Sequence, residues 1–159
     1  MQYRPLVLKN YMVATLVELV SIPLAAPIAR ARNKFILLFQ DTMKEIEDER
    51  QKLLKKYGDL DKDGNLQTDL TTGSYKMRDM DGFTKEFEEM TSRALAVPCI
   101  GDELKGTFMQ VKRILANLET KLDVQQATVY GAIMDAFEEW ERGPADQTSG
   151  ATGAEEHAG

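Results

Sequence analysis

The spacing of apolar residues predicts one long helix over residues 27–57. Pro27 suits the first helical position, where its missing N–H costs no hydrogen bond. No further Gly or Pro occurs before Gly58, a residue typical of a helix C-terminus. Between these limits, apolar and aromatic side chains recur at steps of three and four, with Arg50 filling one step. The resulting stripe consists of Phe35, Phe39, Met43, Ile46, Leu53 and Tyr57.

The expected length of this helix carries the first functional indication. At a rise of about 1.5 Å per residue it would extend about 46 Å. A compact chain of 159 residues has a diameter of about 40 Å. We therefore expect the far end to protrude or to pack against a partner, with Leu53 and Tyr57 as anchors of that contact.

Other segments predict a mainly helical chain around the long helix. Residues 6–8 read as a short strand or extended lead-in, and Asn10 is placed to cap an apolar helix that ends before Pro23. A second helix follows Asp79 or Asp81. Residues 94–100 contain a proline and read as an edge strand.

Two further helices complete the predicted set. One begins at Asp102, and its apolar residues are spaced alternately four and three positions apart. Asp123 and Gln126 fit a capping box for the last helix, which Gly143 and Pro144 should end.

The segment after the long helix supports two interpretations. Asp59, Asp61 and Asp63, followed by Gly64, match the start of an EF-hand calcium loop, but its twelfth position is Leu70 where a bidentate Glu is required. The alternative is a hairpin of residues 66–70 and 74–77, with Asp63-Gly64 and Thr72-Gly73 as turns. We favour the hairpin and keep weak calcium binding as the alternative.

These elements define the expected architecture. We predict a mainly α fold in which residues 1–142 form a single helical domain with one long helix and a small β-hairpin. Residues 143–159 are rich in Gly, Ala, Ser, Thr, Asp and Glu, and we predict that they form a disordered tail.

Charge is unevenly distributed along the chain. Residues 1–58 carry ten Lys or Arg against six Asp or Glu, whereas residues 59–142 carry ten against seventeen, and the whole chain has a net charge of −6. This charge distribution argues against general nucleic-acid binding, which requires a strongly basic face. Arg30, Arg32 and Lys34 form the one basic cluster near a helix start. They are either a solvated face or a docking patch for a phosphate or an acidic partner surface.

The few chemically specialised residues narrow the function further. Cys99 is the only cysteine, which fits a reducing compartment, and His157 is the only histidine. The apolar run of residues 11–29 contains Glu18 and two prolines, so we expect a buried helix in place of a membrane span or signal peptide. We therefore predict a cytoplasmic protein that has no membrane contact and binds no cofactor.

Motifs of common enzyme classes do not occur in the sequence. It contains no dinucleotide-binding glycine pattern, no phosphate-binding loop, no nucleophile elbow and no paired cysteines. The expectation is a protein that is not an enzyme.

Three short stretches carry a resemblance to a known family. They are Ala-Arg-Ala-Arg-Asn-Lys-Phe at residues 29–35, Tyr57 followed by Asp-Lys-Asp-Gly-Asn at 61–65, and Tyr-Lys-Met-Arg-Asp at 75–79 leading to Phe-Thr-Lys-Glu at 83–86. With Val129 and Tyr130 near the last helix, these stretches resemble a family of small tailed-phage proteins of unknown function. The resemblance implies a phage-encoded accessory protein without known catalysis and supplies no binding residues.

The leading hypothesis is therefore a non-enzymatic phage or prophage protein that acts by protein–protein contact, in the host cytoplasm or in the virion. Its partner could be a host factor, a virion component or a second copy of the chain. One rival is a nucleic-acid-associated protein that uses Arg30, Arg32 and Lys34. Another is a weakly calcium-stabilised module built on Asp59, Asp61 and Asp63.

Overall fold

A computed structural model describes residues 2–143, which form six helices and one two-stranded antiparallel sheet. The elements in chain order are β1 (Gln2–Lys9), α1 (Asn10–Val20), α2 (Ala26–Leu37), α3 (Gln40–Tyr57), α4 (Met80–Thr91), β2 (Ala94–Ile100), α5 (Asp102–Ala116) and α6 (Val124–Arg142). The fold is mainly α with a minor β component, as predicted. Residues 144–159, nearly all of the predicted tail, lie outside the described residues.

The sheet joins the two segments that the sequence predicts to be extended. β1 and β2 pair antiparallel, with Leu6 opposite Val97 and Leu8 opposite Leu95. Because side chains alternate across a strand, Leu6, Leu8, Val97 and Cys99 point into the core and are buried. Burial raises the pKa of the Cys99 thiol.

A β-bulge in β1 connects the sheet to the last helix. The register shifts between Tyr3 and Leu6, so that Arg4 and Pro5 oppose the single residue Pro98. The backbone carbonyl of Arg4 accepts a hydrogen bond of 2.8 Å from Nε1 of Trp140 on α6. The bulge thus leaves the Arg4 carbonyl free to accept a hydrogen bond from Trp140, the only tryptophan among the described residues.

Helix α1 occupies the centre of the core, as its nearly all-apolar sequence predicts. It contacts the sheet and helices α3, α4, α5 and α6. Its buried residues are Met12, Val13, Leu16, Leu19 and Val20.

An aromatic cluster surrounds Phe35, which is fully buried on α2. Its ring centroid lies 5.0 Å from Phe39, 5.3 Å from Phe108 and 6.1 Å from Phe137. Trp140 extends the cluster, with its ring centroid 5.3 Å from that of Phe108. Edge-to-face packing at these distances is favourable beyond the area buried, so the cluster joins α2, α5 and α6.

The prediction of a single long helix over residues 27–57 is wrong. Two bonds of the i→i−3 type interrupt it: the N–H of Leu38 donates to the carbonyl of Phe35, and that of Phe39 to Ile36. Such tighter bonds turn the chain by about 20° more per residue than α-helical bonds do. The predicted stripe is only partly preserved on α3: Ile46, Leu53 and Tyr57 are half-buried. Met43 of the stripe is 37 % exposed, while Leu54, outside the stripe, is buried.

The expected protruding rod is consequently two shorter helices, each with its own neighbour. α2 packs mainly against α5, and α3 packs mainly against α4. The far end of α3 is therefore covered by the chain itself.

The hairpin interpretation of the segment between α3 and α4 is confirmed. Three extended pieces pair antiparallel through the bridges Gly58–Met77, Leu60–Leu66 and Thr68–Tyr75. The two turns occur at the predicted glycines, since Gly64 and Gly73 have positive φ angles of 81° and 72°.

Helix caps agree with the sequence at two of three sites. The Asp79 side chain accepts from the N–H of Gly82, and Asp123 with Gln126 forms the full capping box. Asn10 does not cap α1. Lys9 occupies the cap position, and the Asn10 amide donates to the carbonyl of Met90 at 3.0 Å.

We predict that Phe35→Ala lowers the free energy of unfolding by about 3–5 kcal/mol, because it opens a cavity at the centre of the aromatic cluster. The matched control is Leu37→Ala on the same helix, whose side chain is 59 % exposed and whose loss should cost less than about 0.5 kcal/mol. Urea denaturation followed by far-UV circular dichroism measures both. Equal losses in the two variants would contradict the assigned core.

Candidate functional site

The predicted anchors Leu53 and Tyr57 lie against helix α4. Both side chains are half-buried. A Cβ atom at Gly82 of α4 would stand only 2.6 Å from Cε1 of Tyr57, so the tyrosine ring packs directly on that glycine. The expectation that this end of α3 lacks cover is wrong, because α4 and the hairpin segment close over it.

Backbone hydrogen bonds hold the end of α3 in place. The carbonyl of Tyr57 accepts from the N–H groups of Arg78 and Asp79, at 2.8 and 3.1 Å. The Arg78 guanidinium donates to the carbonyl of Lys56 at 2.7 Å. These bonds satisfy carbonyls that a helix C-terminus otherwise leaves without a partner.

Ion pairs connect the exposed sides of α3 and α4. Lys56 Nζ lies 2.9 Å from a carboxylate oxygen of Glu86, and Arg93 lies 2.9 Å from Glu49. The hydrogen bond from Lys56 lowers the pKa of Glu86, and the same bond raises the pKa of Lys56. Both pairs are solvent-exposed and contribute little stability.

The three cations of the predicted basic patch have three different environments. Arg32 is structural: its guanidinium donates to the carbonyls of Val20 and Ile22 at 2.9 and 2.7 Å. Val20 ends α1, so Arg32 provides a C-terminal cap for that helix from a neighbouring one.

Lys34 and Arg30 lie on the exposed side of α2. Lys34 Nζ forms a 2.6 Å ion pair with Glu103 of α5. The bond from Lys34 lowers the pKa of Glu103, and the charge of Arg30 lowers it further. Arg30 itself makes no salt bridge within residues 2–143.

A surface groove of about 710 Å³ lies between α2 and α5, and we call it the α2–α5 groove. On one side it is lined by Ala26, Pro27, Arg30, Ala31 and Lys34. On the other side it is lined by Glu103, Gly106, Thr107 and Gln110. Its lining combines small residues with the charged side chains of Arg30, Lys34 and Glu103.

An apolar cleft of about 310 Å³ adjoins this groove and shares Gln110 with it. The cleft is lined otherwise by Ile22, Leu24, Ile28, Arg113, Ile114 and Asn117. Oε1 of Gln110 is buried and has no hydrogen-bond partner among the described residues. An unpaired buried acceptor costs about 1–3 kcal/mol, so the position of this oxygen is unfavourable in the free chain.

The aspartates of the EF-like segment serve the turn. Oδ1 of Asp61 accepts from the N–H groups of Asp63 and Asn65, both at 2.9 Å. Within residues 2–143 no group of three or more His, Cys, Asp or Glu side chains is placed to hold a metal ion. Asp59, Asp61 and Asp63 therefore do not converge on a common point.

Sequence reasoning missed the residues that line the α5 side of the groove. Gly106 reads in sequence only as a weak point in a helix, and Gln110 only as a polar position between apolar ones. Their significance depends on the packing of α5 against α2, which no local pattern encodes. The predicted anchors Leu53 and Tyr57, by contrast, are apolar or aromatic as a protein contact requires, but α4 covers them.

None of the helices within residues 2–143 combines the length and apolarity needed to span a bilayer. No family model, curated protein or solved structure matches the chain.

We predict that Arg32→Met lowers the free energy of unfolding by about 1–2 kcal/mol, because two carbonyls at the end of α1 lose a charged donor. Arg30→Met, two residues away on the same helix, should have almost no effect. Thermal and urea unfolding of both variants measure the difference. If the two substitutions are equally tolerated, the capping role of Arg32 is refuted.

A second prediction concerns the predicted anchors. Replacing both Leu53 and Tyr57 by Ser should lower the free energy of unfolding by about 2 kcal/mol, since each loses part of its burial against α4. Lys44→Ser, at an exposed position of the same helix, is the control and should be nearly neutral. Unchanged melting of the double variant would restore the idea that this end of α3 is free for a partner.

Proposed function

We propose that the chain is a non-enzymatic accessory protein, encoded by a phage or prophage, that acts by protein–protein contact. Its partner is a protein of the host or the virion, or a second copy of the chain. The phage origin rests on the short sequence stretches alone. The mode of action rests on one observation about the sheet.

The outward side of the sheet is apolar and exposed, and we call it the outer sheet face. It consists of Val7, Ala94, Ala96, Pro98 and Ile100. Val7 is 52 % exposed and Ile100 is 65 % exposed. Polar residues lie at its ends, where Gln2 is paired with Ile100 and Lys9 with Ala94. Arg4 at the bulge, opposite Pro98, is the charged residue in between and forms an ion pair with Glu139 of α6.

This composition supports a contact surface. An antiparallel sheet that packs on the core with one side normally presents polar residues to water on the other. Contiguous exposed apolar residues of this kind are typical of protein interaction sites. The anchor role of Leu53 and Tyr57 stays a prediction, but their cover by α4 favours the outer sheet face as the main contact.

The nucleic-acid alternative has less support. Arg32 is engaged at the end of α1 and Lys34 is paired with Glu103, so Arg30 alone of the three has no intrachain partner among residues 2–143. One free cation neutralises too few phosphates for appreciable affinity at physiological salt. Calcium binding also has less support, because the twelfth position of the EF-like segment is Leu70, which supplies no carboxylate ligand.

The test compares two charge insertions. Val7→Glu combined with Ile100→Glu should abolish partner capture or self-association, because two carboxylates would have to be desolvated at the contact. Leu70→Glu is the control, since Leu70 is 99 % exposed on the hairpin segment. Light scattering at rising concentration measures self-association. Cross-linking in host extract followed by mass spectrometry maps contacts to other proteins.

Two outcomes would overturn the proposal. Wild-type protein that stays monomeric and forms no cross-link to any protein would refute protein contact as the function. Capture that is unaffected in the double variant would refute the outer sheet face as the contact.

A further inference from the structure

The α2–α5 groove and its apolar neighbour offer a second surface, separate from the outer sheet face. We infer that they bind an acidic peptide segment of another protein, with an apolar side chain in the cleft and a carboxylate at the rim. This inference rests on the proposed function only in that the ligand is part of a protein.

Charge complementarity determines the class of ligand. Arg30, Lys34 and Arg113 line the groove and cleft, against the single carboxylate of Glu103. Arg30 and Arg113 are exposed and make no salt bridge within residues 2–143. Because Lys34 and Glu103 neutralise each other, Arg30 and Arg113 give the surface a net positive charge on a chain whose net charge is −6, and this charge favours an acidic ligand.

The buried amide oxygen of Gln110 indicates what else the ligand must supply. Gln110 lines both the groove and the cleft, and its Oε1 is enclosed in the free chain and has no donor among the described residues. A peptide backbone offers N–H donors along its whole length. A bound segment can therefore donate to this oxygen once the Gln110 side chain turns toward the groove, while its own side chains occupy the groove and the cleft.

The apolar cleft provides the anchor site. Ile22, Leu24, Ile28 and Ile114 form its walls, and Ile28 is 38 % exposed in the free chain. Burying a bulky side chain against these residues removes apolar surface from water on both partners. Arg113, at the edge of the cleft, is placed to pair with an acidic residue adjacent to the anchor.

Gly106 keeps the groove open. A Cβ at this position would meet nothing within 4 Å, so any side chain there projects into the groove without disturbing the helix packing. Gly131 on α6 has the same property. The two glycines provide a matched pair of substitutions, one inside the groove and one outside it.

The experiment begins with selection of a displayed library of random short peptides on the wild-type chain. Enriched peptides should carry net negative charge and a bulky apolar residue. Fluorescein-labelled copies of the most enriched peptides are then titrated against variants by fluorescence anisotropy. Gly131→Glu should bind like the wild type, whereas Gly106→Glu should reduce affinity more than about tenfold, because it fills the groove with a like charge.

Two further variants test the polar contacts. Arg30→Glu should weaken binding at low salt more than at high salt, while Lys121→Glu, an exposed control elsewhere, should not. Gln110→Leu should weaken binding about fivefold through loss of one hydrogen bond. It should also leave the melting temperature unchanged or raised, since no buried acceptor is then left unpaired. A residue with only a structural role would not separate affinity from stability in this way.

Several outcomes refute the inference. Enriched peptides without acidic character, an absence of enrichment, or equal binding to Gly106→Glu and Gly131→Glu would each overturn it. Oligonucleotide binding that is lost in Gly106→Glu would reassign the groove to nucleic acid. None of these results affects the outer sheet face, whose test uses Val7 and Ile100, so the two proposals fail independently.

Discussion

The aromatic cluster around Phe35 is the interaction on which the arrangement of the helices depends. Phe35 contacts rings from α5 and α6 as well as Phe39, which lies between α2 and α3. Both phenylalanines are fully buried. The chain tightens after Phe35 and continues as the separate helix α3. As a result α2 packs mainly against α5, and α3 packs mainly against α4. These four helices therefore form two separate pairs.

The division of the helix also explains why the two ends of the predicted stripe behave differently. Phe35 and Phe39 precede the change in helical phase and lie in the core as predicted. Met43 follows it and is exposed. At the far end, Tyr57 is held by α4 and by the backbone of Arg78 and Asp79. The end of α3, which the sequence predicts to be uncovered, is therefore the part of the chain to which the hairpin segment is hydrogen-bonded.

Local signals predicted most of the fold. The capping box of Asp123 and Gln126 and the glycine turns at Gly64 and Gly73 depend on neighbours a few residues away, and all of them are confirmed. The pairing of β1 with β2 was not predictable, since most of the chain separates Leu6 from Val97. The candidate sites fared similarly. The cations of α2 were recognised, but Arg32 had to be placed against α1 before its capping role was visible, and Gln110 against α2 before its oxygen was known to be unpaired.

The bulge in β1 has a consequence for how the sheet can meet another molecule. A partner strand that extends a sheet needs a continuous row of backbone donors and acceptors along the edge it joins. Pro5 and Pro98 lack an N–H, and the carbonyl of Arg4 is already taken by Trp140. An added strand would therefore lack hydrogen-bond partners near the middle of both β1 and β2. The same gap opposes the repeated strand addition that produces fibrils. The sheet can thus expose an apolar face for recognition through side chains while its backbone resists polymerisation.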